Sequence, residues 1–244
     1  MKGWTIFLHS VQLVLRNFDM AMRITLVLYL VQAAYHVVAF MAAPRGGDVS
    51  IFAPSDPAYD GLLLLLGLGT IISSLWMAVA WHRYVLLEEQ PVGWLPRWQG
   101  SRILGYLGRS ILIGLLIGLS LAVTVGVLVF VPFLRVLVLP GMVLAGSYFF
   151  FRLGVMLPAG TVDQKLTLAE SWSATRDKDG AIVVLALIMA VGSFLLQVPS
   201  LVSGNPHSPL TLVYNLVTGW FATMIGISIL TTLYGHYVQG RPID

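Results

Sequence analysis

The chain is a series of long apolar runs separated by short polar stretches. An α-helix rises about 1.5 Å per residue, so about 20 apolar residues are needed to cross the roughly 30 Å hydrocarbon core of a bilayer. Six runs are long enough, and each is predicted to be a transmembrane helix. They cover residues 24–42, 61–81, 110–131, 134–158, 181–201 and 209–235. The fourth run contains Pro140-Gly141, which is expected to kink or locally break its helix.

The polar stretch from Asp163 to Gly180 interrupts this pattern, because it carries seven of the 25 charged residues. Thr167 and Glu170 have the spacing of a capping box, which predicts a helix that begins near Leu168. Gly180 is suited to end this helix or to bend the chain into the fifth span. The stretch is therefore predicted to hold an amphipathic helix at the membrane interface.

The N-terminal segment, residues 3–20, is predicted to be a second interfacial helix. Ile6, Leu13, Val14 and Phe18 fall near one helical face, and the polar residues of the segment fall off it. A helix with one apolar and one charged face lies in the plane of the interface.

A weak repeat links the polar segments that precede the third and fifth spans. Trp98 is followed four residues later by Arg102, and Trp172 is followed four residues later by Arg176. At that spacing the two side chains share a helical face, so the indole lies in the interface and the guanidinium reaches lipid phosphate. Together with the N-terminal segment, the pattern is consistent with three units, each an interfacial helix followed by a hairpin of two spans.

Composition places the whole chain in a membrane. It is 57% hydrophobic and 10% charged, with a mean hydropathy of +0.85, whereas a soluble domain carries roughly 25% charged residues. The chain is accordingly predicted to form a single all-α membrane domain, a polytopic helical bundle. The net charge of +3 does not indicate nucleic-acid binding, because the basic residues lie beside apolar spans. No cysteine is present, which excludes disulfides and thiolate chemistry.

The basic residues also predict the orientation of the bundle. Six spans place both termini on one side, and 12 of the 14 lysines and arginines fall on that side. Arg45 and Arg135 fall on the other. Under the positive-inside rule, both termini and the interfacial helices are predicted to be cytoplasmic.

Polar residues inside the spans are candidates for function by default. In the first span, Thr25, Tyr29, Gln32 and His36 recur at helical spacing and form one stripe. Two interpretations are open: a polar path for a proton or a small ligand, and hydrogen bonding between helices in the bundle. The second is favoured.

The third span carries a small residue at every fourth position: Ser110, Gly114, Gly118, Ala122 and Gly126. Such a ladder allows another helix to approach closely. It is predicted to be a helix-packing face, used either within the bundle or against a partner subunit.

Arg152 follows an aromatic run at the cytoplasmic end of the fourth span. Its guanidinium is expected either to reach lipid phosphate or to pair with Asp163 or Glu170 and fix the interfacial helix against the bundle. Trp98, Arg102, Arg152, Trp172 and Arg176 are the candidate lipid-headgroup anchors of the chain.

No sequence pattern indicates a reaction. The five histidines are scattered, without a pair at the spacing that would suggest a metal site. Nucleophile-elbow, phosphate-loop and dinucleotide-binding motifs are not found in the sequence. The chain is therefore expected to be non-catalytic and to use no metal and no cofactor.

The segment FRLGVMLPAGTVDQKLTLAESWSATRDKDG, residues 151–180, carries a family pattern at Arg152, Pro158, Ser171-Trp172, Thr175-Arg176 and Gly180. It resembles a signature of uncharacterised six-helix bacterial inner-membrane proteins, and also the membrane domain fused to some glycerophosphodiester phosphodiesterases. The resemblance implies the bacterial inner membrane as the location. It implies no chemistry, because the membrane unit of that group has no assigned activity and these 244 residues contain no soluble phosphodiesterase domain.

Three classes of function remain open at this point. The first is a non-catalytic accessory or assembly subunit of a membrane complex, or a factor in envelope organisation. The second is a carrier or channel for a small molecule or lipid, suggested by the polar stripe and by Pro140-Gly141. The third is an enzyme that acts on lipid headgroups through Arg152. The expected partners are membrane lipids and, in the first class, other membrane protein subunits.

Overall fold

The computed structural model of the chain is all-helical. It describes residues 2–43, 57–130, 135–176, 180–202 and 208–243, with the backbone alone at residues 123, 125–130, 135–137, 139 and 201. Within these ranges there are helices and connecting turns but no strand. The helices are α1 (Lys2–Arg16), α2 (Phe18–Ala42), α3 (Pro57–Leu87), α4 (Gly100–Phe130), α5 (Arg135–Leu153), α6 (Met156–Thr161), α7 (Leu168–Ala174), α8 (Ala181–Val202) and α9 (Pro209–Tyr237).

Six of these segments are long and apolar enough to cross a membrane, so the predicted polytopic all-α bundle is confirmed. They are Phe18–Ala42, Pro57–Leu87, Gly100–Ala122, Pro140–Thr161, Ala181–Ser200 and Pro209–Tyr237. A helix is suited to this setting because it pairs its backbone polar groups internally, where lipid offers no partners. The protein is therefore a multi-pass membrane protein.

The segment before the third span does not form the separate interfacial helix that the sequence predicted. Trp98 lies in the loop that follows α3, whereas Arg102 lies in the first turn of α4, which continues into the span. Trp172 lies in α7, but Arg176 lies beyond the end of that helix. Neither Trp–Arg pair shares a helical face, so the spacing is not the sign of a repeated helix.

The fourth span is broken at Gly154 and Val155, and the predicted local break at Pro140-Gly141 is not found. α5 continues through Pro140, which lies in its second turn and removes one hydrogen bond without ending the helix. Instead, Gly154 and Val155 form a turn that separates α5 from α6. A Cβ on Gly154 would lie 2.5 Å from the Phe150 carbonyl oxygen and 2.8 Å from Leu230 Cδ2. This turn therefore depends on a glycine.

The chain between the fourth and fifth spans follows the sequence prediction closely. The side chain of Thr167 accepts a hydrogen bond from the Glu170 backbone, the side chain of Glu170 accepts one from the Thr167 backbone, and α7 begins at Leu168. Gly180 has a φ of 67° and directly precedes α8, so of its two expected roles it takes the second, bending the chain into the fifth span. The charged run 177–179 lies outside the described residues.

One end of the bundle is here named the basic end. Five segments meet there: α1, residues 88–99, α6, α7 and residues 238–243. α1 docks there between the start of α8 and the end of α9. A Cβ on Gly3 would overlap the Ala181 carbonyl oxygen, and the hydroxyls of Ser10 and Thr232 lie 3.0 Å apart. Of the predicted apolar face, Ile6 and Val14 are buried. Phe18 is exposed and already belongs to α2.

The well-packed core lies in the half of the bundle nearest the basic end. Residues from α1, α3, α4, α5, α6, α8 and α9 form it, with Val79, Ile103, Leu157, Leu185 and Leu233 among the fully or nearly fully buried side chains. At the opposite end, Arg45 lies outside the described residues, and the side chain of Arg135 is also outside them.

Candidate functional site

The polar stripe of α2 is used largely in bonds between helices. Thr25 Oγ1 accepts a hydrogen bond from the indole Nε1 of Trp220 (2.9 Å), and the hydroxyl of Tyr29 donates to the Leu216 carbonyl (2.7 Å), both on α9. Gln32 Nε2 donates to Ser74 Oγ on α3 (3.0 Å). These contacts support the hydrogen-bonding interpretation.

The fourth member of the stripe, His36, is placed differently. Its side chain is exposed, and its ring lies edge-on to that of Tyr35, with the centroids 5.7 Å apart. The side chains of the stripe therefore do not share one surrounding. Two bond to α9, one bonds to α3, and His36 lies on the outer surface of α2. The interpretation as a polar path has no support from these contacts.

Sequence reasoning missed a buried histidine, His82, in the core between α3, α4 and α9. Its Nδ1 lies 2.8 Å from Thr231 Oγ1, and its Nε2 lies 3.4 Å from the hydroxyl of Tyr106. The Thr231 hydroxyl donates to the Ile227 carbonyl (3.0 Å), so it accepts from Nδ1–H, and Nε2 accepts from Tyr106. One neutral tautomer therefore satisfies the whole network. The only sequence signal is its helical register with the buried Ala78, four residues earlier.

Arg152 is buried at the end of α5 and holds α7 against it. Its guanidinium donates through Nε to Thr175 Oγ1 (3.1 Å), through Nη1 to the Tyr148 hydroxyl (2.7 Å) and through Nη2 to the Trp172 carbonyl (2.6 Å). Its Cζ also lies 3.8 Å from the centroid of the Trp172 ring, which is a cation–π contact. Arg152 thus joins the fourth span to the α7 helix.

The sequence prediction that Asp163 or Glu170 pairs with Arg152 is wrong. Asp163 instead pairs with Arg102 on α4 (2.6 Å), and Glu170 accepts from the Thr167 backbone N–H (2.8 Å). The capping box turns Glu170 toward the start of α7, whereas Arg152 meets the far end of that helix.

Two exposed carboxylates at this end, those of Asp163 and Glu170, have pKa values below the usual range. The hydrogen bonds from Arg102 lower the pKa of Asp163. The hydrogen bonds from the backbone and hydroxyl of Thr167 lower the pKa of Glu170. Both groups are therefore ionised at neutral pH and neither is suited to act as a general acid.

A chain of hydrogen bonds runs from the Arg102–Asp163 pair to the loop after α3. Arg102 Nη1 donates to Gln99 Oε1 (2.5 Å), and Gln99 Nε2 donates to Glu89 Oε1 (2.9 Å). Glu89 Oε2 accepts from Arg83 Nε (2.6 Å), and Arg83 Nη1 donates to the Thr161 carbonyl (2.7 Å). The network ties α3, α4 and α6 together at the basic end.

The five predicted headgroup anchors therefore fall into two groups. Trp98, Trp172 and Arg176 keep exposed surface at the basic end. Trp98 also packs edge-on against Trp76, with ring centroids 4.7 Å apart. Arg102 and Arg152 instead bond to other parts of the chain.

The small-residue ladder of α4 turns away from the bundle. Each residue advances about 100° around a helix, so every four-residue step rotates about 40° beyond a full turn. Ser110 is half-buried, whereas Gly114, Gly118 and Ala122 are exposed. Nothing lies within 4 Å of a Cβ placed on Gly114 or Gly118. Gly126 lies in α4, but its surroundings are outside the described part of the chain.

Two concave surfaces complete the picture. An apolar groove of about 680 Å³ lies between α5 and α8, with Pro140, Leu144, Leu187 and Phe194 in its walls and Gln197 as a polar member. A smaller crevice of about 330 Å³ lies at the basic end, where His9, His236 and Arg241 meet. Arg241 donates there to the Leu86 carbonyl at the end of α3 (3.0 Å).

Within the described ranges, no group of three or more His, Cys, Asp or Glu side chains is placed to hold a metal ion. Comparison with protein families, with curated proteins and with solved structures found no match for the chain. The candidate site is therefore defined by geometry alone, as the outward face of α4 at Gly114 and Gly118.

Proposed function

We propose that the protein is a non-catalytic membrane subunit that assembles with another membrane protein through α4. The observation that carries the proposal is the open surface at Gly114 and Gly118, where a Cβ would meet nothing within 4 Å. Of the six candidate spans, α4 also has the least buried window, 17% against 22–50% in the other five.

The shape of this surface fits one kind of partner. Gly114 and Gly118 form a shallow groove, and Ile111, Leu115 and Leu119 form an exposed ridge beside it at four-residue spacing. Ridges at this spacing pack into the grooves of a second helix, and glycine lets the two backbones approach closely. In lipid there is little hydrophobic gain from association, so such packing is a main source of affinity. The fitting partner is a transmembrane helix that carries branched apolar side chains at i and i+4.

The location belongs to the same proposal. The 12-to-two distribution of basic residues supports a cytoplasmic basic end, and the pattern in residues 151–180 supports the bacterial inner membrane and kinship with its six-helix proteins. An assembly or envelope-organising role is compatible with both.

The test is mild detergent extraction followed by native mass spectrometry of the wild type and of Gly114→Leu and Gly118→Leu variants. The expected result is a partner subunit at fixed stoichiometry that is lost in both variants. Gly192→Leu on α8 is the matched control, because its position is also open and should not affect the complex. A second copy of this chain in place of a different subunit would assign the face to self-association. A lone wild-type monomer would contradict the proposal.

The groove between α5 and α8 favours a second candidate function, a lipid or small-molecule carrier. Its volume of about 680 Å³ and its apolar walls are within the range of ligand sites. Under this alternative a lipid would co-purify at fixed ratio and be lost on Ala190→Phe, which fills the groove, while the α4 variants would retain it. An enzyme acting through Arg152 has less support, because three of its guanidinium nitrogens already donate to the chain.

A further inference from the structure

Arg109, on α4, differs from the other arginines near it. Arg83 and Arg102 pair with carboxylates, and Arg152 donates to two hydroxyls and a carbonyl. Among the residues that the structure describes, none offers Arg109 a carboxylate or a hydrogen-bond acceptor. Arg109 is nevertheless half-buried.

The guanidinium of Arg109 packs against two glycines, Gly160 and Gly105. A Cβ on Gly160, in α6, would overlap its Nη1 and Cζ atoms. A Cβ on Gly105, one turn earlier on α4, would lie 3.3 Å from Nη1. The side chain therefore runs back over Gly105 toward the start of α4, which is the direction that helical side chains take. Its guanidinium lies against Gly160, where α4 meets α6 close to the basic end.

The guanidinium of Arg109 carries a charge that suits an anion. Three residues after Gly160, Asp163 pairs with Arg102 and not with Arg109. A guanidinium that emerges from a membrane span reaches for the headgroup layer, and its planar set of donors matches the oxygens of phosphate. The exposed Trp98 and Trp172 of the basic end are residues of the kind that lie at headgroup level.

We propose that Arg109 binds a phosphate group where α4 meets α6, and that a membrane phospholipid supplies this phosphate. Basic crevices between transmembrane helices are where headgroups are recognised in membrane proteins. Gly160 has a defined part in this site, because only a residue without a side chain leaves room for the guanidinium.

The experiment measures lipid retention by native mass spectrometry on the full-length protein in detergent. The probes are phosphatidylglycerol, diacylglycerol with the same acyl chains, and inorganic phosphate. Wild type should retain phosphatidylglycerol and release diacylglycerol. Arg109→Gln should weaken phosphatidylglycerol binding about tenfold or more, since it removes a charge-assisted contact. Arg97→Gln is the matched control, because Arg97 is an exposed arginine at the same end of the bundle.

The part that Gly160 has in the site is tested separately. Gly160→Ala should weaken binding as Arg109→Gln does, although it keeps the charge. If that variant folds poorly, the double variant Arg109→Ala with Gly160→Ala should recover thermal stability, because it removes the overlap. If inorganic phosphate stabilises the wild-type protein but not Arg109→Gln, Arg109 does bind phosphate, and the ligand is a free anion and not a lipid. Equal losses in Arg109→Gln and Arg97→Gln, or retention of phosphatidylglycerol by Arg109→Gln, would overturn the proposal.

Discussion

At the scale of single residues, the arginines of the basic end are distinguished by what surrounds them. Arg102 meets a carboxylate that is exposed on the chain between α6 and α7. Arg152 is only 7% exposed and meets the Trp172 indole, two hydroxyls and a carbonyl. A planar cation with directed donors can satisfy such a set of neutral groups, whereas a point charge cannot. Arg152 is therefore a structural residue of α5 that holds α7 in place.

Replacing Arg152 with lysine should destabilise the protein even though the charge is kept. Lysine cannot make three bonds in fixed directions, and its ammonium does not stack on the Trp172 ring as a guanidinium does, so we expect a loss of about 2 kcal/mol. The measurement is thermal unfolding in detergent. Arg176→Lys, at an exposed position, is the control and should leave the midpoint unchanged. Equal midpoints for Arg152→Lys and wild type would show that α7 does not depend on these bonds.

At the scale of elements, the sequence predicted what depends on neighbours along the chain. Hydropathy and length identified the six spans, and the Thr167–Glu170 spacing identified the start of α7. The partner of Arg152 was not predictable, because it depends on how α7 lies against α5. Helix geometry predicts that the α4 ladder does not stay on one face, since a strict four-residue repeat drifts around the helix. Whether that face meets another helix depends on tertiary packing.

The break in the fourth span shows the same limit. Proline is the stronger helix-breaking signal, and it marked Pro140 as the expected point. The turn instead falls at Gly154, which lies close to the side chain of Leu230 on α9. Such a tertiary contact leaves no sign in a single sequence beyond the presence of a glycine.

Replacement by alanine should have different effects at the two glycines of the fourth span, Gly154 and Gly141. Gly154→Ala would place a Cβ 2.5 Å from the Phe150 carbonyl and 2.8 Å from Leu230 Cδ2, so we expect a loss of about 1–3 kcal/mol from overpacking. Gly141→Ala meets nothing within 4 Å and lies inside a helix, so it should be neutral or stabilise by about 0.5 kcal/mol. Unfolding midpoints of the two variants in one detergent decide the matter. A larger loss at Gly141 would place the critical turn at Pro140 after all.

At the scale of the whole molecule, the two halves of the bundle are built differently. Near the basic end, helices, loops and the C-terminal segment enclose a core that includes Trp81, His82 and Tyr234 without exposed surface. Toward the other end, large apolar side chains such as Leu64, Leu119 and Leu210 face outward. Gly114 and Gly118 lie near the middle of α4, and the groove between α5 and α8 extends to Gln197 in the last part of α8. The bundle is therefore enclosed near the basic end and exposes apolar side chains toward the other end.

The distribution of basic residues predicts how the whole chain is oriented in the membrane. The 12 basic residues assigned to the side of the termini should hold the basic end in the cytoplasm, because translocation of positively charged segments is disfavoured. The native sequence has no cysteine, so single cysteines report without background. Val92→Cys, at a position 96% exposed, and Gln239→Cys both lie at the basic end. Ser50→Cys lies in the sequence between α2 and α3. A membrane-impermeant maleimide should label Ser50→Cys in intact cells, and should label Val92→Cys and Gln239→Cys only after the cells are permeabilised. Labelling of both Val92→Cys and Gln239→Cys in intact cells would show the opposite orientation. Labelling of only one of the two would contradict an even number of spans between these positions.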